Sequence, residues 1–269
     1  MHDNFFGYSK KSFKQIISNP ILFVPTIIQI IIGIFLSFHI VTTRRITTIN
    51  STNYIMIKTF IIILLLFFID LFLETGKMYI IKQSLTKNDI SIKDIFIGAK
   101  KFFVRIFLGS LVIFGLTFAL LFLILIVPSA ILIAVNLNII AIIIISIATI
   151  VFFIFISMWE FIIIYEDCSI SDALNKSVRF AKKNFGIILL IEFLKSIFTG
   201  NNRNLNSTIY NKYNKSLFKD IKITNLPLLL NNLNVNINIL ILCILIAFIF
   251  ELFFDVLIFE LYIDRKDSI

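Results

Sequence analysis

The chain has little of what catalytic and metal centres are usually built from. Among 269 residues there are two histidines and two cysteines. His2 and His39 stand alone, and Cys168 and Cys243 have no metal-ligand spacing. Zinc and haem chemistry are therefore not expected, and the cysteines read as two free thiols. No GxSxG, HExxH or P-loop pattern occurs, so the chain is read as a non-enzyme without a cofactor. Glycine (8) and proline (4) are scarce, which excludes fibrous and linker-like chains. Acids are also the minority, 16 against 25 Lys+Arg, for a formal net charge of +9. On a soluble domain that excess would point to nucleic acid. Here the basic residues lie between apolar blocks and form no separate polar domain, so the expected partner is an anionic lipid surface and not nucleic acid.

What abounds is apolar bulk. Hydrophobic residues make up 59% of the chain, 31 of them Phe, and the mean hydropathy is +0.99; soluble domains average roughly 45–50% apolar. A helix needs about 20 apolar residues to cross the ~30 Å hydrocarbon layer. Pro20 to Val41, Ile55 to Leu73, Ile106 to Val127 and Ile139 to Ile164 meet that length. Phe185 to Thr199 is a shorter fifth candidate carrying Glu192 and Lys195, and Ile237 to Tyr262 is a sixth interrupted by Glu251, Asp255 and Glu260. The first block exceeds the ~7–15 apolar residues of a signal peptide and reads as a retained anchor. The expectation is an all-α polytopic membrane bundle of about six spans in one domain, residues 1–269. With the N-terminus inside, inner segments hold 16 Lys and Arg and outer segments 7, which favours cytoplasmic termini at a multi-pass cell membrane. Were the fifth candidate interfacial, the balance would be 20 against 4 with an outer C-terminus, so charge alone leaves that layout open.

Three connections look alike. Residues 91–103 (SIKDIFIGAKKFF) set Ile92, Ile95, Phe96, Ala99 and Phe103 at helical spacing, with Lys93, Lys100 and Lys101 elsewhere. Residues 169–185 set Ile170, Ala173, Leu174, Val178, Ala181 and Phe185 against Lys176, Arg179, Lys182 and Lys183. Both open with a Ser-x-x-Asp capping pattern, at Ser91/Asp94 and Ser169/Asp172. Residues 9–17, with Lys10, Lys11 and Lys14, are a weaker version. The pattern suggests three units (1–82, 83–164, 165–269), each a basic amphipathic helix on the inner surface followed by a two-span hairpin. Those lysines and arginines are the expected headgroup contacts. The third unit carries an Asn-rich polar insertion, residues 200–236, and the Ile, Lys, Asn and Phe usage suggests a bacterial source.

The stretch WEFIIIYEDCSISDALNKSVRFAKKNFGIILLIEFL (Trp159 to Leu194) carries a recognisable order. An aromatic-ended span, an acidic pair, an amphipathic helix and a Lys-Asn step lead into the next span. It resembles a group of bacterial six-span membrane proteins related to the membrane domain of glycerophosphoryl diester phosphodiesterases. SNPILFVP, SIKDIFIGAKKFF and LYIDRK extend the likeness to nearly the whole chain. The short fifth span and the long insertion depart from the pattern. The resemblance implies six helices and little about activity, since the paired histidines and metal-binding acids of the catalytic half have no counterpart here.

Acids in or at the ends of spans are the chemically notable feature. Asp70, Glu74, Glu160, Glu192, Glu251, Asp255 and Glu260 qualify, with Lys58 and Lys195 the only cations inside the predicted spans. A charge at a helix centre costs about 2.5–3.5 kcal/mol on insertion scales, so such groups face protein or water. Glu251 and Asp255, at i and i+4, share a helix face. Asp70, Glu160, Glu192, Lys195, Glu251, Asp255 and Glu260 are the candidate polar site. One reading is structural pairing, including Glu192 with Lys195. The other is a cytoplasm-facing acidic cavity for protons, cations or a basic substrate. Function is correspondingly read as a membrane scaffold or accessory protein in envelope or lipid homeostasis, or as a small-solute, proton or cation transporter or channel. Trp159, Tyr54, Tyr165 and Tyr262 are expected to anchor span ends at the interface.

Overall fold

A computed structural model describes residues 5–33, 35, 52–86, 90–122, 138–213 and 237–266. Val41, His39, Pro128, the uncharged connection after it and the second half of the polar insertion fall outside these residues, as do the side chains of Tyr54 and Cys243. The described chain is helical throughout, without strands.

Helix α1 (Phe5–Ser18) ends at Asn19, and α2 (Pro20–Gly33) leaves it at 91° after a 3-10 turn. Pro20 causes the break twice over: its ring cannot continue α1, and its fixed φ suits the start of a new helix. Helix α3 (Thr52–Thr86) has 35 residues, about 52 Å at 1.5 Å per residue. It continues far past Leu73, where apolar content alone had ended the second span. Helix α4 (Ile92–Leu121) packs antiparallel along α3, with Phe68 on Phe107, Phe72 on Phe96 and Tyr79 on Phe102. The expected amphipathic segment 91–103 and the span after it are one unbroken helix. Helices α5 (Asn138–Ile156) and α6 (Trp159–Glu166) are separated by a turn at Ser157–Met158. Helix α7 (Ile170–Tyr213) is kinked at Asn184, where φ is −119° and ψ 23°. It joins the expected amphipathic segment 169–185 to the fifth span candidate and continues into the start of the insertion. Helix α8 (Ile237–Arg265) closes against α7, α1 and α3.

Both capping patterns form, and the one at Ser91 is a reciprocal capping box with Asp94. The Ser91 amide donates to Asp94 Oδ2 at 2.8 Å, whereas the Asp172 amide donates to Ser169 Oγ at 3.2 Å. Either bond satisfies an amide that a helix start leaves without a partner.

Burial is uneven along the helices. Met78, Ile80, Ile81, Ile95, Phe102, Ile106, Ile162, Phe180, Leu257 and Phe259 form a packed core at one end. Further along the same helices Phe60, Leu65, Phe67, Leu111, Phe114, Phe118, Ile147 and Phe193 stand exposed. A contiguous apolar surface of this extent fits contact with lipid. Among the described residues, Ile92–Leu120 and Ser146–Glu166 are long and apolar enough to cross a membrane, and a third span results if the bent pair α1–α2 counts as one.

Close helix contact depends on glycine at two points. A Cβ on Gly98 would lie 2.2 Å from Tyr79 Cβ, and one on Gly109 would lie 2.1 Å from Trp159 Cζ3. Trp159 is thus seated in the core, 6% exposed, and Tyr262 is fully buried. Neither has the interfacial place that its aromatic type suggested. Their rings fill interhelical space, which in a bundle of few glycines is worth more than a polar rim.

Candidate functional site

The polar site is built from helix periodicity. Asp70, Glu74 and Lys77 recur at i, i+4 and i+7, which brings them onto one face of α3. Glu251 and Asp255 recur at i and i+4 on α8, and Glu192 and Lys195 at i and i+3 on α7. Where these faces meet, Lys77 lies 2.8 Å from both Glu74 and Asp255 and 3.7 Å from Glu251. Lys195 reaches across from α7 to Asp255 at 2.7 Å. Asp255 and Lys77 are each 1% exposed, so this is a sealed junction of three helices. The Gln29 amide, from α2, donates to Asp70 at 3.1 Å and to Glu74 at 3.0 Å, which ties a fourth helix to the same group.

The remaining acids surround this junction. Glu160, on α6, is within electrostatic reach of Glu74, Lys77, Lys195 and Asp255. Glu192 is within reach of Lys195 and Asp255. The lysine beside Glu192 in sequence therefore makes its contact-distance ion pair with Asp255 instead. Six carboxylates (Asp70, Glu74, Glu160, Glu192, Glu251, Asp255) share two ammonium groups. The arrangement is sealed at Asp255 and opens through Glu74 and Glu251, 25% and 35% exposed, to the exposed Asp70. Glu260 does not join it. One turn beyond Asp255, it lines an open cleft against α1, because the ~100° step per residue carries it off the Glu251–Asp255 face.

A second, peripheral network fixes the helix ends around Glu166 and Asp167. Asp167 adopts the left-handed conformation (φ 54°, ψ 39°) at the C-terminus of α6, a geometry that a short polar residue tolerates. Its carboxylate takes Lys101 at 2.5 Å and Arg105 at 2.7 Å, and these hydrogen bonds hold it below the usual aspartate range. Lys82 donates to the Ile164 and Tyr165 carbonyls at 2.8 and 3.0 Å, where the negative end of the helix dipole favours a cation. Glu166 accepts from Lys176 and from the Tyr262 hydroxyl, and its bond raises the Lys176 ammonium above its ordinary value. At the kink, Asn184 donates to Phe180 O at 3.2 Å and accepts from Arg265 at 2.9 Å. Arg265 also donates to the Tyr8 hydroxyl at 3.2 Å, and that hydroxyl donates to Asp264 at 2.5 Å. The first and last described helices are thereby tied to the α7 kink.

The break between α5 and α6 is repaired from outside. Ser177 of α7, fully buried, donates to Phe155 O at 2.7 Å and accepts the Met158 amide at 3.3 Å. In a low-dielectric interior an unpaired amide costs several kcal/mol, so such a break persists only with a partner of this kind.

Of the predicted headgroup contacts, Lys93, Lys100, Arg179, Lys182 and Lys183 are exposed. Lys101 and Lys176 are engaged by Asp167 and Glu166. Lys77 and Gln29 are the site residues that sequence reasoning left out. Hydropathy alone places Lys77 past the end of the second span at Leu73; the signal that finds it is the apolar series Met78, Ile80, Ile81 and Leu85, which continues a helix beyond Leu73. Among the described residues no group of three or more His, Cys, Asp or Glu side chains converges to hold a metal ion.

The sequence model of a family described as a domain of unknown function (DUF7847) matches residues 10–199, and the chain belongs to that family. No curated protein and no solved structure matches it.

Proposed function

We propose that this member of the DUF7847 family is a bacterial multi-pass membrane protein that acts without catalysis, as a scaffold or accessory protein in envelope or lipid homeostasis. The observation that carries this reading is the grip of Asp255 between Lys77 and Lys195, on α8, α3 and α7. Both lysines converge on one sealed carboxylate, Lys77 holding Glu74 as well, which is how a structural clamp is built and not how a mobile ion is passed along. Six spans, three hairpin units and cytoplasmic termini complete the proposal. The sharp bend of α1 on α2 and the α7 kink at the corresponding step support the repeat, although α4 runs straight through that step, and the antiparallel α3 and α4 support alternating spans. The exposed Lys93, Lys100, Arg179, Lys182 and Lys183 would then face anionic headgroups. Kinship to the membrane domain of the phosphodiesterases belongs to the same proposal and rests on the residue pattern alone.

A second reading, a proton or cation transporter, is favoured by one observation. Asp70, Glu74 and Glu251 form a partly exposed acidic rim leading to the sealed pair. Reconstitution into vesicles containing a pH-sensitive or cation-sensitive dye separates the two. The scaffold reading expects flux equal to that of empty vesicles. Flux that disappears in Glu74→Gln or Glu251→Gln would replace it with the transporter. For topology, reporter fusions after Asn201 and after Ile269 should read outside and inside, and an inside signal at Asn201 would remove the six-span layout.

A further inference from the structure

Helix α1 carries two inward- and outward-turned faces, and only one of them meets the rest of the protein. Tyr8, Ser12 and Ile16 recur every four residues and are buried. That face lies against α8, where the Tyr8 hydroxyl meets Asp264 and Arg265. Phe6, Phe13 and Ile17 are instead 82%, 59% and 65% exposed. At ~100° per residue they cluster about 120° around the helix from the buried face. The single stripe expected over residues 9–17 is thus divided: Ile16 turns to the core, while Phe13 and Ile17 turn away from it.

What covers the outward face follows from its direction and its charge. Helix α1 meets α2 at 91°, so an α2 that crosses the bilayer lays α1 along the membrane surface. Lys10 stands within the outward face and Lys14 at its edge, both exposed. Lysine stems beside apolar side chains cover hydrocarbon while their ammonium groups reach the headgroups. This basic margin suits an anionic leaflet. A second copy of the same helix would bring like charges together. The arm of α7 before its kink makes the contrast plain. Its exposed residues Ser171, Asp172, Asn175, Arg179, Lys182 and Lys183 are all polar, so an outward apolar face is particular to α1 and not a property of every basic segment.

We infer that α1 is an interfacial membrane-binding helix, with Phe6, Phe13 and Ile17 seated at the boundary of headgroups and acyl chains in the inner leaflet. Lys10 and Lys14 then lie in the headgroup layer. Burial to about 5–10 Å is the depth such helices reach. The inference rests on the membrane reading and adds to it one defined lipid-binding face. Because Tyr8, on the opposite side, is bonded to the end of α8, the same helix joins the leaflet to the packed core.

The test uses the full chain in vesicles of phosphatidylethanolamine and phosphatidylglycerol. In a Cys168→Ser, Cys243→Ser background, a nitroxide is attached through Phe6→Cys, Phe13→Cys, Ile17→Cys, Ser18→Cys or Phe114→Cys, one at a time. Collision with oxygen, which concentrates among acyl chains, is compared with collision with a water-soluble nickel chelate. The oxygen-to-nickel ratio at Phe6, Phe13 and Ile17 should exceed by several-fold that at Ser18, which is exposed on the polar side of α1. Phe114, exposed on α4, reports on the membrane reading itself. A high ratio at Phe114 with Phe13 and Ile17 as open to nickel as Ser18 overturns the inference and leaves the membrane reading standing. Access of neither reagent to Phe13 and Ile17 also overturns it, since another segment or a second copy then covers the face. A ratio at Phe114 as low as at Ser18 removes the membrane reading, and the inference with it.

Discussion

Replacing Asp255 by Asn keeps the shape of the side chain and removes its charge. Asp255 is 1% exposed and faces Lys77 at 2.8 Å and Lys195 at 2.7 Å. After the substitution Lys77 retains Glu74 at 2.8 Å, but Lys195 loses its contact-distance partner while only 26% exposed. At an effective dielectric of about 20, two unit charges at 2.8 Å attract by roughly 6 kcal/mol. Desolvation cancels much of this in the intact pair, yet breaking a buried pair from one side still costs about 3–5 kcal/mol, because the partner stays buried. Asp255→Asn should therefore lower stability by about 3–5 kcal/mol, read as a fall in melting temperature by fluorescence-detected size exclusion in detergent. Lys195→Met should cost less, since Lys77 continues to neutralise Asp255. Combining Asp255→Asn with Lys195→Met should recover part of the loss, a coupling of the kind a double-mutant cycle measures. A Tm for Asp255→Asn indistinguishable from the wild type, or strictly additive losses in the double variant, would refute the clamp.

Three other outcomes are expected. Ser177→Ala should lower stability by about 1–3 kcal/mol, because the Met158 amide loses its partner in a buried break; hydrogen exchange at Met158 should quicken, and unchanged exchange would show that another group serves it. Gly98→Ala should be destabilising by about 1–3 kcal/mol through overpacking on Tyr79, whereas Gly115→Ala, with nothing within 4 Å of the added Cβ, should be tolerated; equal thermal shifts for the two would refute the close α3–α4 approach. Asp167 has its carboxyl held below its ordinary value of 3.8 by Lys101 and Arg105. Its stabilising effect is therefore complete above that value and is lost as pH falls through the lower folded value. The Tm gap between wild type and Asp167→Asn should be constant near neutrality and shrink below about pH 4; a gap independent of pH down to 2 would contradict the pairing.

The acids of the apolar blocks were legible because a carboxylate in such a block stands out whatever the fold. Their partners were not. Lys77 follows a run of helix whose apolar content drops after Leu73, and hydropathy reads that drop as a boundary although the backbone continues to Thr86. Glu192 and Lys195 showed the same limit differently. Their i,i+3 spacing suggested a local pair, but the lysine is long enough to reach Asp255 on another helix, where two buried charges gain more from each other than either gains at a surface. Glu260 was grouped with Asp255 by sequence distance, and the helical rotation between them sends it to α1 instead.

By itself the sequence determined that the chain is helical, apolar enough for lipid contact, capped at Ser91 and Ser169, and supplied with more acid than base inside its apolar blocks. These properties follow from composition and from residues within one or two helical turns. The tertiary structure alone decided which acid is sealed, which helices the two lysines join, and how Ser177 and Asn184 repair breaks in the helices. Those outcomes depend on contacts between segments as far apart as Lys77 and Asp255, or Tyr8 and Arg265. No local periodicity encodes them, because they are selected by the cost of leaving a charge or an amide buried without a partner.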